Sequence, residues 1–492
     1  MRPAYRPGRR NRSSATLAAA LALAGLLFWV TGCSQGTRLE PWHTEVLGEE
    51  FTADMAGDGI RTLGDYLDLE ERLFRELDQR IVDTTPTGPG YALVRFSRGS
   101  AADPGLWPRN WNRTFVLEAD APLGGVLLLH GMSDSPYSLR ALGEALNRAG
   151  FLVVGLRLPG HGTAPSGLTS VTWQDMAAAV RVAMAHLAET LGDRPLHIIG
   201  YSTGGPLALD FALEAVGQGH QAVPASLVLV SPAIRVHASS ALARFKDALS
   251  VLPGLGDLAY LAVKAEFDPF NYNSFATNAG AQVSAITRDI IRRVGGLSAE
   301  AAARVPPILT LKSAVDATVT TEAIVDDLLM RLPPGRNELV LFDINRNAAI
   351  KSSLLVADPA PFTDRLLAET GLPFAVTFVT NANPQSASVV SRHKASLSGQ
   401  VTDPRPLGLA WPAGVVSLSH LALAIPPDDP LYGRGPPDSD ERVFLGDMAL
   451  RGERGLVSLP AEWLLRQRYN PFYPYAEARV LQWLGVGNTG AW

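Results

Sequence analysis

Leu196-His197-Ile198-Ile199-Gly200-Tyr201-Ser202-Thr203-Gly204-Gly205 decides the fold. An apolar run, read as a strand, ends at Gly200, and a serine follows inside Gly-x-Ser-x-Gly. Pro206 through Leu213 then suits the start of a helix. A strand–turn–helix with serine at the turn lifts the hydroxyl out of the sheet edge, where it can act as a nucleophile. Glycines on either side permit the tight turn and close strand–helix packing. The pattern alone also fits an ordinary glycine-rich turn, so the surrounding chain has to arbitrate.

Working outward, continuous apolar runs recur on both sides. Gly125–Leu129, Phe151–Leu156, Ala225–Val230 and Pro307–Leu311 have no polar alternation, as expected of strands buried on both faces of a parallel sheet. Helical stretches at 136–149 and 173–191 separate them. Strands alternating with helices predict an α/β fold with a mostly parallel, doubly wound sheet. Further strands are expected at Tyr91–Phe96, Thr114–Glu118, Glu338–Phe342 and Phe374–Val379. Helices are expected at 62–82, 321–332 and 475–485. Residues 236–305 make a connection far longer than usual, read as a helical cap. An insertion is read at about 346–412, with 381–412 polar and loop-like. The domain reading is 1–32 signal peptide, 33–110 tether and lead-in, and 111–492 catalytic domain.

A serine hydroxyl needs an adjacent base, and the base needs an orienting acid. On this kind of sheet the chain order is serine, acid, histidine. Of nine histidines, only His393 and His420 follow both Ser202 and an acid placed after the strand 307–311. His393 lies between Arg392 and Lys394, cations that oppose its protonation. His420 follows an apolar run and is favoured. Asp316 directly follows a strand and is favoured as the acid over Asp343. For the developing oxyanion, the backbone N–H groups of Thr203 and Met132 are the expected donors. His130 and His161 are read as structural, because no ligand set with metal spacing accompanies them.

Taken together, Leu129-His-Gly-Met, Arg157-Leu-Pro-Gly-His-Gly162, Trp173, Gly200-Tyr-Ser-Thr-Gly204, Asp316 and His420 resemble the α/β-hydrolase fold. The nearest branch is the monoglyceride-lipase/serine-aminopeptidase-like one. The resemblance covers about residues 120–320 and 410–432. It implies a serine hydrolase with no metal or organic cofactor. The expected substrate is a small-molecule or lipid carboxylic ester with an apolar acyl chain. Two rival readings stand beside it. A peptidase would need acids for an α-amine, for which Glu266 and Asp268 are candidates; a non-catalytic envelope lipoprotein would keep the fold for binding.

Composition sets the outer bounds. Apolar residues make up 47% of 492 and charged residues 18%, enough to bury a large core. The net charge is −5, and residues 1–32 hold five arginines and no acid, so the remainder is more acidic still. That balance argues against nucleic acid as a partner. Cys33 is the single cysteine, which excludes an intramolecular disulfide. It follows a basic stretch and an apolar run from Ala15 to Val30, too short for a span and suited to export. Val30-Thr-Gly-Cys33 resembles a bacterial lipobox. The resemblance implies an acylated Cys33, a membrane anchor, and an outer-membrane lipoprotein facing the periplasm. An uncleaved anchor or a free cysteine are the plainer alternatives. The sequence leaves the oligomeric state open.

Overall fold

The computed structural model describes residues 39–218, 222–235, 259–316, 318–348, 358–435, 441–446, 451–452 and 465–486. The export signal and Cys33 lie outside these residues. So does Val251–Leu255, one of the two apolar stretches of the expected cap, the other being Leu258–Val263.

A sheet of ten strands organises the chain. Its strands are β1 (Phe115–Leu117), β2 (Gly125–Leu129), β3 (Leu152–Leu156), β4 (Leu196–Tyr201), β5 (Ser226–Val230), β8 (Ile308–Ser313), β9 (Glu338–Phe342), β10 (Ala375–Asn381), β11 (Ser388–Lys394) and β12 (Arg405–Ala410). A two-stranded ribbon, β6 (Tyr260–Ala262) and β7 (Phe275–Ala276), stands apart. The spatial order is β1-β3-β2-β4-β5-β8-β9-β10-β11-β12. The seven strands from β3 to β10 are parallel; β1, β11 and β12 pair antiparallel. Every residue of β2, β3, β4, β5, β8 and β9 is buried, as continuous apolar runs require. From β2 the chain first runs outward to β3, then returns to place β4 on the other side. The carboxyl ends of β2 and β4 therefore meet at a topological switch point, where open α/β sheets bind their ligands.

Helices cover the sheet: α1 (Leu63–Leu77), α2 (Arg140–Arg148), α3 (Trp173–Leu191), α4 (Gly204–Gln218), α5 (Thr277–Gly295), α6 (Ala360–Ala368) and α7 (Tyr473–Trp483). Thr62 and Thr172 cap α1 and α3, each accepting from the N–H three residues on. Phe51, Ile60, Leu63, Tyr66 and Leu69 join the same apolar cluster as Leu127, Leu129 and Leu156. The stretch expected to be a tether and lead-in thus supplies part of the central core. Each large apolar side chain buried there contributes about 1.5–3 kcal/mol.

Three expectations are corrected. Tyr91–Phe96 is not a strand; the Val94 and Ser97 N–H groups donate backward to Tyr91 O and Val94 O, closing turns instead. Residues 381–412 are not loop-like, since β11 and β12 extend the sheet there. The helix expected at 321–332 is broken into a single α turn, a π turn and a 3-10 turn.

Candidate active site

β4 ends at Tyr201, and Ser202 takes a φ of 52°. A left-handed serine is strained by about 1–3 kcal/mol and persists only where its surroundings hold it. Here the Ser202 N–H donates to Val230 O (3.0 Å), while Ser202 O accepts from Ala233 N–H (3.0 Å) and Gly205 N–H (3.1 Å). A Cβ at Gly204 would land on the Leu129 carbonyl, and one at Gly200 on Gly204 itself. Glycine at both positions lets α4 start against the sheet.

Asp316 follows β8. Its Oδ1 accepts from the N–H groups of Thr318 (2.8 Å) and Val319 (3.2 Å). Its Oδ2 lies 2.7 Å from His420 Nδ1, and Lys312 Nζ donates to the same oxygen. His420 Nε2 lies 2.9 Å from Ser202 Oγ. Burial works against the Asp316 charge, but the His420 and Lys312 charges and hydrogen bonds outweigh it and lower its pKa. The carboxylate stays ionised and holds His420 with Nε2 toward the serine.

The 104 residues from Asp316 to His420 are closed by specific ties. Ser313 Oγ at the end of β8 donates to Leu418 O (2.9 Å). Asn345, after β9, donates through its backbone N–H to Val416 O and through Nδ2 to Val415 O, both at 2.9 Å. The Tyr201 hydroxyl donates to His420 O (3.4 Å). The loop after β12 is thereby pinned across the carboxyl edge of the sheet. The runner-up groups sit elsewhere. Asp343 is paired with Arg346, and His393 lies on β11, its Nδ1 3.0 Å from Thr377 Oγ1.

Met132 and Thr203 lie on the loops after β2 and β4. Among the described residues, neither backbone N–H donates to a protein acceptor, so both are available to an oxyanion. His130 braces the first loop. Its Nε2 accepts from Leu158 N–H (3.0 Å), which leaves Nδ1–H to donate to Gly131 O (2.8 Å). Burial, with His161 beside it, pushes His130 well below the ordinary histidine range, which keeps this neutral tautomer.

Glu50 and Glu70 complete that support, and the sequence reading missed both. The fully buried Arg157 guanidinium makes a two-pronged pair with Glu50 (3.1 and 3.0 Å), reaches Glu70 Oε2 (3.0 Å), and donates to His161 O (3.0 Å). Glu70 also accepts from Thr114 N–H and Oγ1. The N-terminal segment thus anchors the 157–162 loop that backs His130. Removing one partner of such a buried pair costs about 3–5 kcal/mol. A signal existed: Glu70 lies on the face of α1 that buries Tyr66, Leu73 and Phe74, where an acid needs a cation.

A small pocket is lined by Tyr201 and Leu421, the sequence neighbours of Ser202 and His420, with Asp134, Asn271, Tyr432 and Arg468 among others. Its free volume of about 20 Å³ is room for roughly one water. It fits a hydroxyl-sized group and not an alkyl chain. Burial raises Asp134 to about 7. Glu266 and Asp268 do not face it as free acids. Glu266 accepts from Asn273 and Ser274 N–H groups, and Asp268 from the Tyr432 hydroxyl and Arg468. Among the described residues, no group of three metal-ligating side chains is assembled, and no helix is long and apolar enough to cross a membrane.

Topology and elbow together define the fold: a mostly parallel sheet with the nucleophile turn of the α/β-hydrolase arrangement. Residues 120–334 match the family model described as serine aminopeptidase, S33. Over 88 residues the chain is 38% identical to a thermostable monoacylglycerol lipase of Bacillus sp. (strain H-257), covering 18% of this chain and 34% of that one. Over 118 residues it is 34% identical to the magnesium-chelatase 30 kDa subunit of Rhodobacter capsulatus, covering 24% and 39%. The chain therefore spans little more than a third of the curated relatives it matches. Among solved structures it is similar to a metagenome-derived lipolytic enzyme, at 25% identity and a TM-score of 0.37 over 47% of this chain and 87% of that one.

Proposed function

We propose that the protein is a serine hydrolase that cleaves carboxylic esters through an acyl-enzyme. The observation that carries the reading is the continuous line from Ser202 Oγ to His420 Nε2 and from His420 Nδ1 to Asp316 Oδ2. His420 Nε2 takes the Ser202 proton as Oγ attacks the ester carbonyl carbon. The N–H groups of Met132 and Thr203 hold the oxyanion. His420 then returns the proton to the alcohol oxygen as the C–O bond breaks. Water, deprotonated by the same nitrogen, attacks the acyl carbon, and the acid leaves as Ser202 regains its proton.

Monoacylglycerols, or lysophospholipids of similar form, are the proposed substrates. Support comes from the name of the Bacillus relative. Commitment of Glu266 and Asp268 to internal hydrogen bonds supports ester over peptide cleavage. The test compares p-nitrophenyl esters with aminoacyl amides on purified protein. Ester turnover should dominate; amide turnover with little ester turnover would sink the proposal. We also propose that Cys33 carries the lipid that anchors the protein at the envelope, on the strength of the export signal around it. Palmitate incorporation should disappear in Cys33→Ala, and incorporation that survives would refute the anchor.

A further inference from the structure

Lys312 is the second-to-last residue of β8, and its side chain is wholly buried. A lysine in that position needs a reason, because burying an ammonium is costly unless it is paired. Its partners are Asp316 Oδ2 and Val319 O, the latter at 2.9 Å. The lysine therefore shares one carboxylate oxygen with His420 Nδ1. It also spans the turn from Asp316 to Val319 and fixes where that oxygen points. All four acceptor directions of the carboxylate are then used: two backbone N–H groups on Oδ1, the lysine and the histidine on Oδ2.

The pairing also has an electrostatic consequence. A lone buried carboxylate against the imidazole would strongly favour imidazolium. A permanent cation on the same oxygen offsets that pull. From β4, Tyr201 presents a ring 5.4 Å from the His420 ring, and after β9 Asp343 is neutralised by Arg346. We propose that Lys312 is a positioning residue of this site: its ammonium orients Asp316 and offsets its charge, so that ester cleavage holds to lower pH. The inference rests on the ester-hydrolase reading.

The test is the pH profile of kcat/KM for the wild type and for Lys312→Met, Lys312→Gln and Lys312→Arg. Lys312→Met and Lys312→Gln should move the acid limb upward by about one pH unit, and Lys312→Arg should leave it in place. A purely structural lysine would give a lower Tm in Lys312→Met, recovery in Lys312→Gln, and an unmoved limb in both. An unmoved limb in either folded variant overturns the proposal. The ¹⁵N imidazole titration of His420 reads the same shift without turnover, so an inactive wild type would defeat the ester reading while this one is still judged. Should the neutral variants not fold, ¹⁵Nζ spectroscopy of the wild type decides. Lys312 must remain an ammonium from about pH 5 to 9, and a neutral amine overturns the role.

Discussion

Ser202→Ala is expected to abolish labelling by a fluorophosphonate and to lower ester kcat/KM by about 10⁵–10⁶-fold. Without Oγ no covalent acyl-enzyme can form, and the remaining groups can only orient a water. Residual turnover should come from the two oxyanion N–H groups and from binding. The fold should survive the change, because the side chain makes no other hydrogen bond than the one to His420 among those described. The strained φ of 52° is then held for alanine by the same backbone bonds to Val230 and Ala233. Labelling that persists in Ser202→Ala would place the nucleophile elsewhere. Absence of labelling in the wild type would favour a non-catalytic binding role.

Why the serine was legible is a matter of range. The elbow is specified by neighbours within a few residues: an apolar strand, glycines where only glycine fits, then a helix start. Asp316 was legible for a similar reason, since it directly follows a buried strand. His420 was reached by chain order and by the apolar run before it, not by its contacts, because the ties that bring it home run from Ser313, Asn345 and Tyr201, none of them near it in sequence. Strands β11 and β12 escaped notice because they lie at the sheet's outer end. Ser388–Lys394 exposes Ser388 and Arg392, and Arg405–Ala410 carries a proline and a glycine at exposed positions, so neither shows a clean period. Tyr91–Phe96 misled in the opposite direction. Its Arg95 is buried, bonded to Asn112 and Asp268 O and stacked against Phe96 and Tyr272, so a tertiary cation site overrides the strand pattern.

The same contacts make Asp316→Asn the most informative change after the serine. The two backbone N–H groups of Thr318 and Val319 demand an acceptor at the Oδ1 position. An asparagine there must point its carbonyl oxygen at them, which turns its NH2 toward His420 Nδ1 and Lys312 Nζ. Facing a donor, His420 must present Nδ1 as an acceptor and carry its proton on Nε2. In that tautomer Nε2 cannot take the proton from Ser202 Oγ, 2.9 Å away. The imidazolium also loses its counter-charge. The expected result is a fall in kcat of about 10⁴-fold, with KM changed little. Stability should drop as well, by about 3–5 kcal/mol, because Lys312 is left as a buried ammonium with its carboxylate gone. Urea unfolding reads the stability loss, and the rate of fluorophosphonate labelling on the folded fraction reads the catalytic one. A variant that keeps kcat within about tenfold of the wild type would mean that His420 takes its orientation from another acid.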